Sequence, residues 1–431
     1  MQSSHILGMN ARSQHYVSLN SHESRRYGFS KLRTKSFVVK HGIGVAELYA
    51  SLKSFEELRA FDWSIIVGGF ALKPSNGLAG RGVVVLRRRK KGKQEWEDVD
   101  GRVWTVEDLE LHASDILSGL YSTWGSHTRV IIEERVPIHP DLVSLYPTGT
   151  PDIRIILYNK IPIMGMIRIP TEQSGGRANL DLGAIALGVD LSTGKTTFGV
   201  MGKSTMFDVF PADHPLAGLS TQGIAIPMWT QILRTSIRTA NATGHKFFGI
   251  DVFVHPERGP LVAEVNNQPG LSIQLANRRG LRRRLERVHG IEPKSVTHAV
   301  KISQALFADT LSLGEQELEL PVFDLREPVV VYGDNEIEIE GVALLHTGRD
   351  WSAIGRDTAY ALGLLNPDDV LWEQGTKEEG RLPVVEVSFK LHDRVRKAQM
   401  IVSKKMSKGK YLVQLGRKDL EGSLIRVGED T

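Results

Sequence analysis

The stretch from Phe247 to Leu271, FFGIDVFVHPERGPLVAEVNNQPGL, limits what this chain can become more than any other. FFGIDVFV is rich in β-branched and aromatic residues, HPERGP is turn chemistry, and LVAEV reads as a second strand, so the stretch predicts a β-hairpin. With the turn centred on Glu257-Arg258, antiparallel pairing sets Asp251 opposite Glu264. Strand side chains alternate faces with period two, which puts Asn266 on the face of Glu264. Two carboxylates and an amide oxygen then converge on one patch. Like charges that close repel unless a cation lies between them, and hard oxygen ligands suit Mg²⁺ carrying nucleotide phosphates. A surface hairpin with scattered acids fits this stretch alone equally well.

A ligand of that kind needs cations and backbone donors elsewhere in the chain. Ser30 is placed to cap a helix from Lys31 to about His41, ended by Gly42, with Lys31 and Lys35 four residues apart on one face. Next, WSIIVGGFALKPSNGLAGRGVVVL holds an apolar strand ending at Lys73-Pro74, a loop with Gly77, Gly80 and Gly82, and a second strand. Such a hairpin can close backbone N–H groups over phosphates with the ammonium as counter-charge. It is neither a P-loop nor a dinucleotide fingerprint, because no helix follows the loop. A hairpin that holds no ligand fits the residues as well.

After a helix over Val106 to Leu120, RVIIEERV predicts a strand from about Arg129 to Val136. PDIRIILYNKIPIMGMIRIPT predicts two strands around a turn at Asn159-Lys160. Asp152, Arg154 and Arg168 interrupt these apolar strands, where a charge is costly unless it is paired or bound. Structural ion pairing and substrate contact both explain them. Ile224 to Ala240 has helical spacing, SIQLANRRGLRRRLERVHG predicts a basic helix, and a further helix spans about Ser295 to Leu306. The basic runs Arg87 to Lys91 and Arg282 to Arg284 read as solvated faces.

Composition narrows the function classes. The 431 residues are 41% hydrophobic and 24% charged, in the range of a soluble globular protein long enough for two or three domains. The absence of cysteine excludes disulfides, zinc–thiolate sites and thiol nucleophiles. A net charge of +4 does not argue for nucleic acid. There is no apolar signal core and no run near the about 18 apolar residues of a membrane span, so a cytoplasmic protein is expected.

Taken in order, GMNAR, KLRTK, LKPSNGLAGRG, ILSGLYS, PDIR, IRIPT, RANLDLG and EVNNQPGLSIQLANRRGL resemble the ATP-grasp superfamily, over about Leu7 to Leu285. Within it they are most similar to the alpha-L-glutamate ligase-related proteins, also classed as sugar-transfer-associated ATP-grasp proteins. The resemblance implies an α+β ATP-grasp ligase domain over residues 1–309. It also implies an ATP- and Mg²⁺-dependent carboxylate–amine ligase that forms an amide through an acyl phosphate, with an amino acid and a peptide or protein as candidate acid and amine. By the same resemblance, Lys31 and Lys73 contact ATP phosphates, the latter beside the hairpin of Ser75, Gly77, Gly80 and Gly82. Glu133, Glu134 and Val136 line the adenine pocket, and Asp141 is the ribose partner, at a spacing that departs from the family's. Asp251, Glu264 and Asn266 hold magnesium. Arg154 and Arg168, with Asn179 beside them, stabilise the transferring phosphoryl group.

Two departures concern the substrate. The chain has Asn179-Leu180-Asp181 where the family has Asn-Leu-His, and Asn266-Asn267-Gln268-Pro269-Gly270 where it has Asn-Ala-Arg-Pro-Gly. They leave room for a different reading, a nucleotide-binding scaffold or sensor in a cell-envelope or polysaccharide system.

The acidic, low-complexity SLGEQELELP marks a linker over residues 310–321. Residues 322–431 then read as a small all-β domain of short strands. GVALLHTGRDWSAIGRDTAYALGL and Leu415 to Leu420 resemble the retropepsin-like fold found also in the ATP-dependent zinc protease family. In that fold Asp-Thr-Gly supplies the catalytic aspartate, whereas this chain has His346-Thr347-Gly348, with Asp350 two residues beyond the triplet. An imidazole cannot share a proton in a carboxylate dyad, so a non-catalytic module is expected. Retropepsin-like units often pair, which makes a homodimer an expectation of the same resemblance.

Overall fold

The computed structural model describes residues 5–76, 80–122, 128–146, 149–202, 221–308, 321–334, 337–392, 394–420 and 423–426. The chain forms two compact units, Met1–His289 and Gly290–Thr431. The expected linker falls, apart from Pro321, outside the described residues. Among the described residues no helix is long and apolar enough to cross a membrane.

Two six-stranded antiparallel sheets build the first unit. The first contains β1 (Leu48–Leu52), β2 (Phe70–Pro74), β3 (Val84–Arg89), β4 (Trp96–Asp98), β5 (Val103–Trp104) and β6 (Val130–Glu134), in the order β1-β6-β2-β3-β4-β5. Phe70, Leu72, Leu86 and Ile132 pack against Leu109, Ala113 and Ile116 of the Val106–Leu117 helix. That helix starts at a reciprocal cap: Thr105 accepts from the Asp108 N–H and Asp108 accepts from the Thr105 N–H. With Phe70 and Leu72 committed to this core, alternation turns Lys73 to the opposite face. The pairing of Ala71 with Glu133 puts Glu133 on that same face.

The second sheet contains β7 (Asp152–Tyr158), β8 (Ile161–Ile169), β9 (Ile185–Val189), β10 (Thr196–Met201), β11 (Phe247–His255) and β12 (Gly259–Asn266), in the order β10-β9-β8-β7-β11-β12. Asn159 and Lys160, with φ of +49° and +66°, form the two-residue turn between β7 and β8, as the sequence predicts. The β11–β12 hairpin has the predicted register, Asp251 opposite Glu264, and a bulge follows directly at Val252. The Trp229–Thr243 helix starts later than its spacing predicts and buries Ile232, Leu233, Ile237 and Ala240.

The single basic helix expected after Gly270 is broken into Ile273–Ala276 and Leu281–Val288. Its break has local and distant causes. Gln274 Oε1 accepts from the N–H groups of both Leu281 and Leu7, each at 2.9 Å, and Arg278 adopts φ +48°. Gly280 passes so close to the N-terminal segment that a Cβ there would stand 2.1 Å from the His5 carbonyl oxygen. Nor is the Arg282–Arg284 run a uniformly solvated face, since Arg284 is buried and donates to the Ile163 carbonyl at 2.9 Å. In the other run, Arg87 and Arg88 of β3 both pair with Glu97 of β4.

The second unit is mainly β, with the helices Val296–Leu306 and Arg356–Ala361. The strand Arg326–Tyr332 pairs on one side with Glu338–His346 and on the other with Gly380–Leu391, which closes six strands into a barrel. Val370–Thr376 extends it at the Gly380–Leu391 strand, and Val331, Leu345, Ile354, Val387, Phe389 and Val413 fill its core.

Candidate functional site

Two buried charged clusters mark the first unit. One begins at the Lys31–Lys40 helix, which Ser30 caps by accepting from Arg33 N–H at 3.4 Å and which ends at Gly42 with φ +66°. One turn on from Lys31, Lys35 is buried and donates to one carboxylate oxygen of Glu133, while Lys73 from β2 donates to the other. Glu133 is itself 3% exposed. Burial pushes its carboxyl up, but Lys73 and Lys35 outweigh that and hold it down at about 2. The Lys35 ammonium is lowered to about 8, by burial first and by the charge of Lys73 second, with Glu133 opposing. Two cations share one anion, so the cluster keeps an uncompensated positive charge.

The second cluster lies on one face of the second sheet. Arg154 pairs with Asp251 in register and Asp152 pairs with Arg168, so alternation aligns these four side chains with Glu264 and Asn266 across β8, β7, β11 and β12. Arg154 donates from Nε and Nη2 to the two oxygens of Asp251, both at 2.7 Å. Arg168 donates twice to Asp152 at 2.6 Å and once to Asp251 at 2.8 Å. Burial raises Asp251, yet Arg154 and Arg168 together hold it well below the usual carboxylate range. Burial lowers Arg168, and the carboxylates of Asp152 and Asp251 more than restore it. Two arginines and two aspartates balance.

Glu264 is the more available carboxylate of the hairpin. Its side chain is 40% exposed and stands 3.8 Å from the Lys31 ammonium. Asn266 Oδ1 accepts from the Gln268 N–H at 2.9 Å and keeps its other lone pair. Three of the four lone pairs of Asp251 are taken by arginines. Among the described residues no three His, Asp or Glu side chains gather as a metal cluster, so the donor set is two carboxylates and one amide. Hard oxygens of this kind fit Mg²⁺, which takes few protein ligands and completes its shell with water and phosphate oxygens.

The remaining expected residues divide. Gly80 and Gly82 adopt φ of +73° and +70°, which glycine alone reaches without strain, and Gly77 lies outside the described residues. The Gly80 carbonyl accepts from Arg177 Nη1 at 3.1 Å. Ser75 is buried, 3.1 Å from Thr128 Oγ1, and with Ser30, Leu32, Asn76, Thr128 and Arg129 it lines an open cavity of about 280 Å³. Asn179 Oδ1 accepts from the Asp181 N–H at 3.0 Å, and its Nδ2 lies 3.9 Å from where a Cβ on Gly80 would stand. Glu134 pairs with Arg258 and accepts from the Glu47 N–H at 3.0 Å. Val136 is buried beside Ala46 and Leu261. The Asp141 side chain is 67% exposed, 3.7 Å from His139.

Two members of this region are joined to it by contacts distant in the chain. Lys35 was legible only as the i+4 partner of Lys31. Asn267 is buried, its Oδ1 accepts from His245 Nε2–H at 2.9 Å and its Nδ2 donates to the Arg25 carbonyl at 2.7 Å. It thereby ties the end of β12 to the short His22–Arg25 helix that precedes the lysine helix. No local pattern announces such a bond, which spans 242 residues.

In the second unit His346 Nδ1 accepts from the Gly348 N–H at 3.2 Å. Asp350 is paired with Arg417 in an exposed position.

A family model described as sugar-transfer associated ATP-grasp matches residues 10–290. Among similar solved structures is the ATP-grasp ligase PsnB complexed with minimal precursor, 14% identical, covering 58% of this chain and 56% of that one at a TM-score of 0.31. A biotin carboxylase from Campylobacter jejuni is 14% identical over 64% of this chain and 50% of that one, at 0.39. D-alanine–D-alanine ligase from Bacillus anthracis complexed with ATP is 13% identical over 69% and 71%, at 0.35. The chain spans half to three fifths of the length of the first of these structures. No curated protein matches it.

Proposed function

The chain belongs to the sugar-transfer associated ATP-grasp family, and from that membership we propose that its first unit is an ATP- and Mg²⁺-dependent carboxylate–amine ligase, glutamate-ligase-like in its chemistry. One observation carries this reading. Lys31, of the cationic set, stands 3.8 Å from Glu264, of the anionic hairpin, so phosphate-binding and metal-binding chemistry meet at one place.

Lys31 and Lys73 supply charge for the phosphates, and Ser75, Gly80 and Gly82 supply the neighbouring backbone. Glu133, Glu134 and Val136 run beside the adenine, and Asp141 serves the ribose. Glu264 and Asn266 hold Mg²⁺, with Asp251 giving its remaining lone pair while it fixes Arg154 and Arg168. Bound there, Mg²⁺ would supply positive charge to the phosphates of ATP. Arg154 and Arg168, with Asn179 nearby, stabilise the charge that develops as the γ-phosphoryl group passes to the substrate carboxylate. ADP leaves, an amine attacks the acyl carbon, and phosphate departs as the amide forms. The chain supplies no nucleophile, which agrees with its lack of cysteine.

The acid is an amino acid or similar small carboxylate, the amine a peptide or protein, and the setting cytoplasmic, where ATP is plentiful. The closed barrel of the second unit is a retropepsin-like module without hydrolytic activity, since His346 stands where that fold has its aspartate and Asp350 is spent on Arg417. One observation favours the second reading, a nucleotide-binding scaffold: Asp251 is largely saturated by arginines.

A screen of acid and amine pairs for ADP release, with product masses, separates the two. The ligase reading expects substrate-dependent ADP and an amide product, both lost in an Asp251→Asn, Glu264→Gln double variant. Full turnover by that variant would sink it. ATP binding without ADP formation across the screen would favour the scaffold.

A further inference from the structure

We propose that Arg12 is a specificity-determining residue that binds a second carboxylate of the acid substrate, so that the acid taken by the first unit is a dicarboxylate. This rests on the ligase reading above. Arg12 Nη1 donates to the Pro269 carbonyl at 2.9 Å and to the Gln268 carbonyl at 3.4 Å. Its Nη2 stands 3.5 Å from Gln268 Oε1, and its Nε is buried with no acceptor. These partners are neutral. Arg154 and Arg168, by contrast, are each neutralised by carboxylates in the buried network.

Position decides what that charge can do. Arg12 sits against Gln268 and Pro269, two and three residues after Asn266. A Cβ on the next residue, Gly270, would stand 3.7 Å from Arg154 Nη1. Arg154 spends Nε and Nη2 on Asp251, which leaves Nη1 as its outward donor. Nη2 of Arg12, whose one contact among the described residues is a 3.5 Å approach to Gln268 Oε1, and Nη1 of Arg154 are therefore the donors that flank the Pro269–Gly270 segment. A guanidinium N–H binds a carboxylate through a charge-assisted hydrogen bond, and a substrate with two carboxylates spans both groups. The reacting carboxylate lies beside Arg154, where phosphoryl transfer develops charge. The second reaches Arg12. Position 268 is a neutral glutamine, so the charge on that side of the turn comes from Arg12.

The test uses the full chain loaded with MgADP and calorimetric titration of three probes: glutarate, pentanoate and 4-phosphonobutyrate. Wild type is expected to bind glutarate about tenfold or more tighter than pentanoate, the loss typical of a charge-assisted hydrogen bond. Arg12→Gln retains an N–H for the Pro269 carbonyl but removes the charge. It should abolish the preference while the melting temperature and the ATP affinity stay unchanged, and Arg12→Lys should restore part of it. In turnover with a dicarboxylate, Arg12→Gln should raise KM and spare kcat. Equal binding of glutarate and pentanoate, no glutarate binding, or an undiminished preference in Arg12→Gln overturns the proposal. Much tighter binding of the phosphonate overturns its carboxylate assignment. Glutarate binding through Arg12 with no ADP release from any acid and amine supports the Arg12 site and overturns the ligase reading.

Discussion

The first unit carries one buried charged cluster on each sheet, and the two are balanced differently. Around Glu133, two lysines share one carboxylate. Around Asp251, two arginines meet two aspartates through bidentate bonds. The first keeps a net positive charge in a place largely closed to water, where an added anion is attracted strongly. The second is neutral and fixed by planar donors, so it serves as a rigid mount for Arg154 and Arg168. Two lysines make a reservoir of charge, and a matched set of arginines and aspartates makes a scaffold for it.

The sharpest way to break this contrast is to unbalance the neutral cluster. Asp251→Asn leaves two buried guanidinium groups facing one aspartate, and urea unfolding should show a loss of about 3–5 kcal/mol. A loss below about 1 kcal/mol would mean that solvent, not Asp251, answers those charges.

Glu133→Gln should cost less, about 3 kcal/mol, from the difference between an ordinary value of 4.5 and one of about 2. The folded value lies below the unfolded one, so this stabilisation is present above about pH 4.5 and is lost as pH falls towards 2. The unfolding free energy should therefore fall with pH across that window more steeply in wild type than in the variant.

A smaller effect tests how the lysine helix is tied to β12. Gly28 leaves room for Asn267, whose side-chain atoms lie 2.3 to 2.5 Å from where a Cβ would be. Asn267 is held by His245 and the Arg25 carbonyl and cannot swing away. Gly28→Ala should destabilise by about 1–3 kcal/mol, and unchanged stability would show that this junction is slack. Lys31→Ala should matter least to the fold, about 0.5 kcal/mol or less, because its partner Glu264 is partly exposed and 3.8 Å away. Its expected effect is on ATP affinity, readable in a binding titration.

Sequence patterning reached as far as local physics does. The facing of Asp251 and Glu264, the turn at Asn159-Lys160 and the cap at Ser30 follow from alternation, turn chemistry and orphan helix donors. Charges on apolar strands announced that Arg154 and Arg168 need partners. They could not say that Arg154 would find Asp251, 97 residues away. The union of Lys35 with Glu133, the break at Arg278 and the closure of the barrel at Gly380–Leu391 all depend on segments distant in the chain. Position 35 was visible as a lysine on the right face, and its burial was not.

Under the proposed function the two clusters hold one MgATP between them. Calorimetric titration of ATP into the full chain, with and without Mg²⁺, tests it most directly in wild type, Lys73→Met, Glu264→Gln and the double variant. Binding should depend on Mg²⁺ and weaken about tenfold or more with each single change, with a double loss smaller than the sum because both groups act on one ligand. ATP affinity indifferent to Mg²⁺ and to both residues would contradict it.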